Sequence, residues 1–104
     1  MVNQVNKEKF DELLKGEKPV VCDFYATWCG PCKMLAPIME KVSENFEEKA
    51  EFIKVDTDEN IELAARYGVM SIPLVAVFKD GELKAKSLGY STQAEMEEFL
   101  TENL

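Results

Sequence analysis

A chain of 104 residues has room for one ordinary domain, and 46% hydrophobic with 31% charged residues is the mix of a soluble globular protein, so residues 1–104 read as a single domain. Twelve basic against twenty acidic side chains leave a net charge of −8, which argues against nucleic acid or an anionic membrane as the main partner. Histidine is absent, which removes Ser–His and Cys–His catalysis and every histidine-containing metal site, and leaves any chemistry to Cys, Asp, Glu, Lys, Tyr or the backbone.

Asn6 to Leu14 predicts a short helix with Phe10, Leu13 and Leu14 on its apolar side, ended by Gly16 and Pro19. Val20 to Ala26 predicts a strand whose apolar residues fall on both faces, as in a buried parallel strand. Residues 30–48 predict a long helix. Met34, Ile38, Val42 and Phe46 recur every four residues, with Leu35 and Met39 beside them. Pro37 lies inside it and is expected to kink it. Phe52 to Asp56 predicts a strand, and Ile61 to Tyr67 a short helix closed by Gly68. Leu74 to Phe78 predicts the next strand. Asp80-Gly81 is a tight-turn signal, after which Leu83 to Leu88 returns antiparallel. Thr92-Gln93-Ala94-Glu95 is a capping-box pattern opening a last helix with Met96, Phe99 and Leu100 inward. This order predicts an α/β domain with a mixed sheet covered on both faces.

Three cysteines are too few, and of the wrong parity, for a disulfide framework. The first twenty residues lack the apolar core of a signal peptide, and no apolar run approaches the roughly 20 residues of a membrane span. The expected compartment is the cytoplasm, where a cysteine pair is more often catalytic or metal-binding than structural.

Cys29-Gly30-Pro31-Cys32 carries the chemistry. It falls between a strand end and a helix start, where α/β sites tend to lie. With Cys29 as N-cap, Pro31 sits at the second helical position and has no N–H. The Cys32 N–H is then left to meet the Cys29 sulfur. The helix dipole adds positive potential there, and both effects favour a Cys29 thiolate. Residues three apart on a helical turn lie within disulfide reach. Cys29 can attack a partner disulfide, and Cys32 can then attack Cys29 and release the reduced partner, with no metal. A structural zinc site needs four ligands, and Cys22 is the one other thiol, so zinc is a minor reading; two inert core cysteines is another.

At Asp23-Phe24-Tyr25-Ala26-Thr27-Trp28-Cys29-Gly30-Pro31-Cys32-Lys33 the chain resembles the thioredoxin family. The likeness continues through Pro37, Lys54-Val55-Asp56-Thr57-Asp58, Tyr67-Gly68-Val69, Ser71-Ile72-Pro73 and Phe78-Lys79-Asp80-Gly81 to Gly89. The resemblance implies the thioredoxin fold, a central mixed sheet of about five strands flanked by four helices. It implies a protein-disulfide reductase, with Cys29 attacking, Cys32 resolving, and the Cys29–Cys32 disulfide as the redox group in place of any cofactor or metal. A thioredoxin reductase would supply electrons and disulfide-containing proteins would accept them, with the chain acting as a monomer. Asp23, read alone, is a satisfied strand-end carboxylate. The resemblance makes it a buried acceptor for the Cys32 proton, with burial raising its pKa. Lys54 is its partner on this reading, and otherwise a solvated lysine. Trp28 covers the site, and Gly30, Pro31, Ser71, Ile72, Pro73 and Gly89 complete the substrate contacts. Pro73 is expected to be cis, beside a loop whose backbone can pair with an extended substrate.

Four residues depart from the family pattern. Cys22 stands where an aliphatic residue is usual and reads as buried filler, with a regulatory thiol as the lesser option. Tyr25 replaces a common Trp, Leu74 follows Pro73 where Thr is usual, and Met70 precedes Ser71. These changes bear on partner preference and redox potential. An oxidase or isomerase of the same fold is the second enzyme reading, and Pro31 in place of a histidine argues against it. A binding module using the apolar surface around Trp28, Ile72 and Pro73 without turnover is the third.

Overall fold

The computed structural model describes residues 1–104. Its elements run β1 (Asn3–Gln4), α1 (Lys7–Leu14), β2 (Val20–Tyr25), α2 (Gly30–Phe46), β3 (Glu51–Asp56), α3 (Ile61–Arg66), β4 (Leu74–Lys79), β5 (Glu82–Leu88) and α4 (Gln93–Asn103). The five strands form one mixed sheet in the order β1-β3-β2-β4-β5. β2 pairs parallel with β3, β3 pairs parallel with β1, and β4 runs antiparallel to both β2 and β5. β2 is therefore central, and the chain leaving its C-terminal end leads into α2.

Alternation along the strands divides the core in two. Val21, Val75 and Val77 face Leu35, Met39, Val42 and Phe46 of α2 and Met96 and Leu100 of α4. Val20, Cys22, Phe24, Ile53, Val55, Ala76 and Phe78 face Phe10 of α1 and Leu63 of α3. Phe10 stacks edge-on against Phe78 with ring centroids 5.3 Å apart, and Tyr67 does the same at 5.0 Å. Both faces of the sheet are thus covered, and the α2 face is the one that carries the site.

Local signals set most of the boundaries. Asn6 caps α1 by accepting from the Lys9 N–H at 3.0 Å. Thr92 and Glu95 form a reciprocal capping box at the start of α4. Asp80 and Gly81 both take positive φ, 56° and 78°, which gives the two-residue turn whose twist matches the β4–β5 hairpin.

Several expectations need correction. Met34 is 61% exposed and does not join the apolar stripe of α2. α2 stops at Phe46, with 47–49 in a turn. Ala26 lies beyond β2, and Tyr67 caps α3 from outside it. β1 was not expected from the sequence. It is two residues long and is held by pairing with Ile53 and Lys54.

Candidate active site

β2 ends at Tyr25, and a three-residue turn delivers Cys29 to the start of α2. The Cys29 N–H donates to the Ala26 carbonyl at 3.2 Å, closing the turn. From the neighbouring loop, the Thr57 N–H and hydroxyl both donate to the Tyr25 carbonyl, at 2.9 and 3.1 Å. Cys29 is the N-cap of α2, and its Sγ accepts the Cys32 N–H at 3.2 Å. Pro31, with no N–H, leaves that amide as the donor within reach. Cys29 and Cys32 form a disulfide with Cα atoms 5.2 Å apart, within the normal range for such a bridge. Both residues are buried, packed with Ala26 and against Tyr25 and Ile72.

The opposite wall is the Ser71-Ile72-Pro73 loop. The Ile72–Pro73 peptide is cis, Pro73 is buried and Ser71 is exposed. The Ile72 carbonyl oxygen lies 3.9 Å from the Cys29 Sγ. Gly89, at φ 86°, donates its N–H to the Pro73 carbonyl at 2.8 Å and so pins the end of β5 to this loop. The amide and carbonyl of Ile72 take part in no backbone–backbone hydrogen bond, which leaves a short unpaired edge beside the dithiol. Gly30 and Pro31 are exposed at the helix tip, and a Cβ on Gly30 would meet open space. Trp28 is 70% exposed, and its indole N–H donates to Asp58 Oδ2 at 2.7 Å. The indole therefore stands in solvent on a tether, not in the core.

Beneath the disulfide lies a cavity of about 290 Å³ lined by Asp23, Cys32, Tyr25, Lys33 and Lys54 among others. Asp23 is 3% exposed, and its Oδ1 has no hydrogen-bond partner. Burial raises its pKa from 3.8 to about 7, against a smaller lowering by the Lys54 charge. Lys54 stands directly across from Asp23 in the β2–β3 register, with its Nζ 5.6 Å from the centre of the Tyr25 ring. The groups lining this cavity that carry chemistry are thus the Asp23 carboxyl, the Cys32 sulfur and the Lys54 ammonium.

A family model described as Thioredoxin matches residues 1–102. The chain belongs to the thioredoxin family. Among its curated relatives, Thioredoxin of Rickettsia bellii is 40% identical over 105 residues, the whole of both chains. Thioredoxin of Staphylococcus haemolyticus is 44% identical over 101 residues, 97% of this chain and 96% of the relative. Thioredoxin of Bacillus subtilis is 44% identical over 88 residues, 85% of each. As a member of the thioredoxin family the chain is a thiol–disulfide oxidoreductase, and its redox pair is Cys29–Cys32.

The departures from the thioredoxin pattern fall in two places. Cys22 is fully buried on the far face of the sheet, among Phe10, Phe24 and Phe78, and burial pushes its thiol pKa well up. Leu74 is buried at the start of β4 on that same face, Tyr25 packs against the Cys29–Cys32 cluster on the other, and Met70 is 95% exposed. Asp58 lies in a stretch that matches the family, Lys54 to Asp58, and its spacing alone points to no role. Its contact with Trp28 spans thirty residues of chain, so no local spacing announces it. Asp56 supports it: the Asp56 Oδ1 accepts the Asp58 N–H at 2.9 Å, and the Asp56 carbonyl accepts from Asn60 Nδ2 at 3.0 Å.

Proposed function

We propose that this oxidoreductase is a general protein-disulfide reductase of the cytoplasm, working as a single-domain monomer, with Cys29 attacking and Cys32 resolving. The observation that carries the order of attack is the Cys32 N–H donating to the Cys29 Sγ at 3.2 Å at the start of a 17-residue helix. A donor and the positive end of a helix both stabilise negative charge on that sulfur, and the thiolate is the nucleophile.

In the reduced protein the Cys29 thiolate attacks one sulfur of a substrate disulfide. A mixed disulfide forms, and one substrate thiolate leaves. The Cys32 thiol then gives its proton to Asp23 and attacks the Cys29 sulfur. The Cys29–Cys32 bond forms, the mixed disulfide breaks, and the second substrate thiolate leaves. Two electrons have passed to the substrate. A thioredoxin reductase returns two electrons to the disulfide and closes the cycle. A pKa of about 7 suits Asp23 to this task, since a group that takes and returns a proton works best when its pKa lies near the operating pH. Lys54 tunes that carboxyl by its charge.

Trp28, Gly30, Pro31, Ser71, Ile72, Pro73 and Gly89 form the substrate face. The unpaired backbone of Ile72 supports docking of an extended substrate segment by strand-like hydrogen bonds. Trapping tests the order of attack. Cys32→Ser accumulates mixed disulfides through Cys29, because the resolving thiol is gone. Equal trapping by Cys29→Ser through Cys32 reverses the assignment.

A further inference from the structure

We propose that Tyr25 is a positioning residue that holds the Lys54 ammonium on its ring face and so fixes that charge at the rim of the Asp23 cavity. The inference deepens the proton-accepting reading of Asp23 and rests on it. It gives a task to a residue that the sequence marks only as a departure from the usual Trp.

The geometry follows from the sheet. Asp23 and Lys54 are direct partners across β2 and β3, so their side chains rise from the same face. Tyr25 is two residues on from Asp23 and shares that face. Lys54 thus has three destinations: the Asp23 carboxyl, the Tyr25 ring, or open water. Its Nζ lies 5.6 Å from the ring centre, within the range where the negative face of an aromatic ring attracts a cation. It forms no ion pair with Asp23, whose Oδ1 stays without a partner. Full entry into the cavity would strip the ammonium of water, whereas the ring offers a half-wet seat. Tyr25 is itself held in place, packed against the Cys29–Cys32 cluster and tied through its carbonyl to Thr57.

The consequence is a charge at fixed distance. Lys54 acts on Asp23 without neutralising it, and the carboxyl keeps the capacity to take a proton from Cys32. The groups facing Asp23 are Cys32 and the exposed Lys33 from α2, Lys54 from β3, and Tyr25 from its own strand; its β4 partner, Val75, is uncharged. Tyr25 remains neutral through the working range, because burial first, then Asp56, Glu59 and Asp23, raise its pKa above 10. Cys22, behind the sheet, is neutral for the same reason of burial.

The test is a carboxyl-carbon NMR titration of Asp23 in the disulfide form, which removes the thiols from the titration. Lys54→Met raises the Asp23 midpoint in the parent protein and equally in Tyr25→Phe, which keeps the ring. In Tyr25→Leu the same substitution raises it markedly less, because the ammonium is no longer anchored. An equal rise in all three backgrounds overturns the proposal and leaves the role of Asp23 intact. An Asp23 that titrates in the ordinary carboxylate range in the parent overturns both. Should Tyr25→Leu not fold, the unmodified protein still decides. The Lys54 protons next to Nζ are shifted upfield by the ring current if the side chain lies on the ring face, and an unshifted position overturns the proposal. In turnover, Tyr25→Leu moves the pH profile of the resolving step while Tyr25→Phe keeps the parent profile.

Discussion

Asp23 ties stability to pH with a sign that is unusual for a carboxylate. Its pKa is about 7 in the folded protein and 3.8 when exposed. The folded state therefore binds this proton more tightly than the unfolded state does. Its contribution to stability is fully present below pH 3.8 and is lost as pH rises through 7. At about 1.4 kcal/mol per pH unit, the interval from 3.8 to about 7 makes the ionised carboxylate cost about 4 kcal/mol. Asp23→Ala removes that cost. Its truncation also removes some packing, but packing loss does not depend on pH. The diagnostic is the change in the stability difference between variant and parent. Measured by urea unfolding of the disulfide forms, the variant gains on the parent by about 3 kcal/mol between pH 5 and pH 8. At neutral pH the variant is the more stable protein. A difference that stays flat over that window, or a variant less stable than the parent at pH 7, refutes the buried-carboxylate reasoning.

Three further outcomes are expected. Asp58→Ala frees the indole of Trp28, the one tryptophan in the chain, so its fluorescence anisotropy falls and insulin-disulfide reduction slows; unchanged anisotropy contradicts the tether. Asn6→Ala loses the cap on α1 and lowers unfolding stability by about 1 kcal/mol, with redox activity untouched; no loss of stability contradicts the capping role. Equilibration with glutathione leaves the protein the more reducing couple, as a reductase requires; a more oxidising couple favours an oxidase or isomerase instead.

The start of α2 was legible because everything that shapes it is local. An N-cap position, a proline without an N–H and a thiol three residues on are all fixed by spacing, and the structure puts the Cys32 N–H on the Cys29 sulfur. The stripe on the same helix shows where spacing misleads. Twelve residues separate Met34 from Phe46, and at 3.6 residues per turn that step rotates by about 120° away from a whole number of turns. Both cannot face the sheet. Leu35 to Phe46 is eleven residues and drifts by about 20°, so Leu35, Met39, Val42 and Phe46 are the buried line. β1 was illegible because Asn3-Gln4 has no pattern of its own and exists through its pairing with β3. The seat of Lys54 on Tyr25 and the Trp28–Asp58 tether were illegible for a related reason: each depends on which strands and loops lie side by side.

Two thiols at a helix start, Cys29 and Cys32, pass electrons to protein disulfides. Insulin reduction with a small dithiol as electron donor tests it most directly. The purified protein speeds the reaction well beyond donor alone, and Cys29→Ser abolishes the gain. A rate equal to donor alone, or a Cys29→Ser variant as fast as the parent, contradicts it.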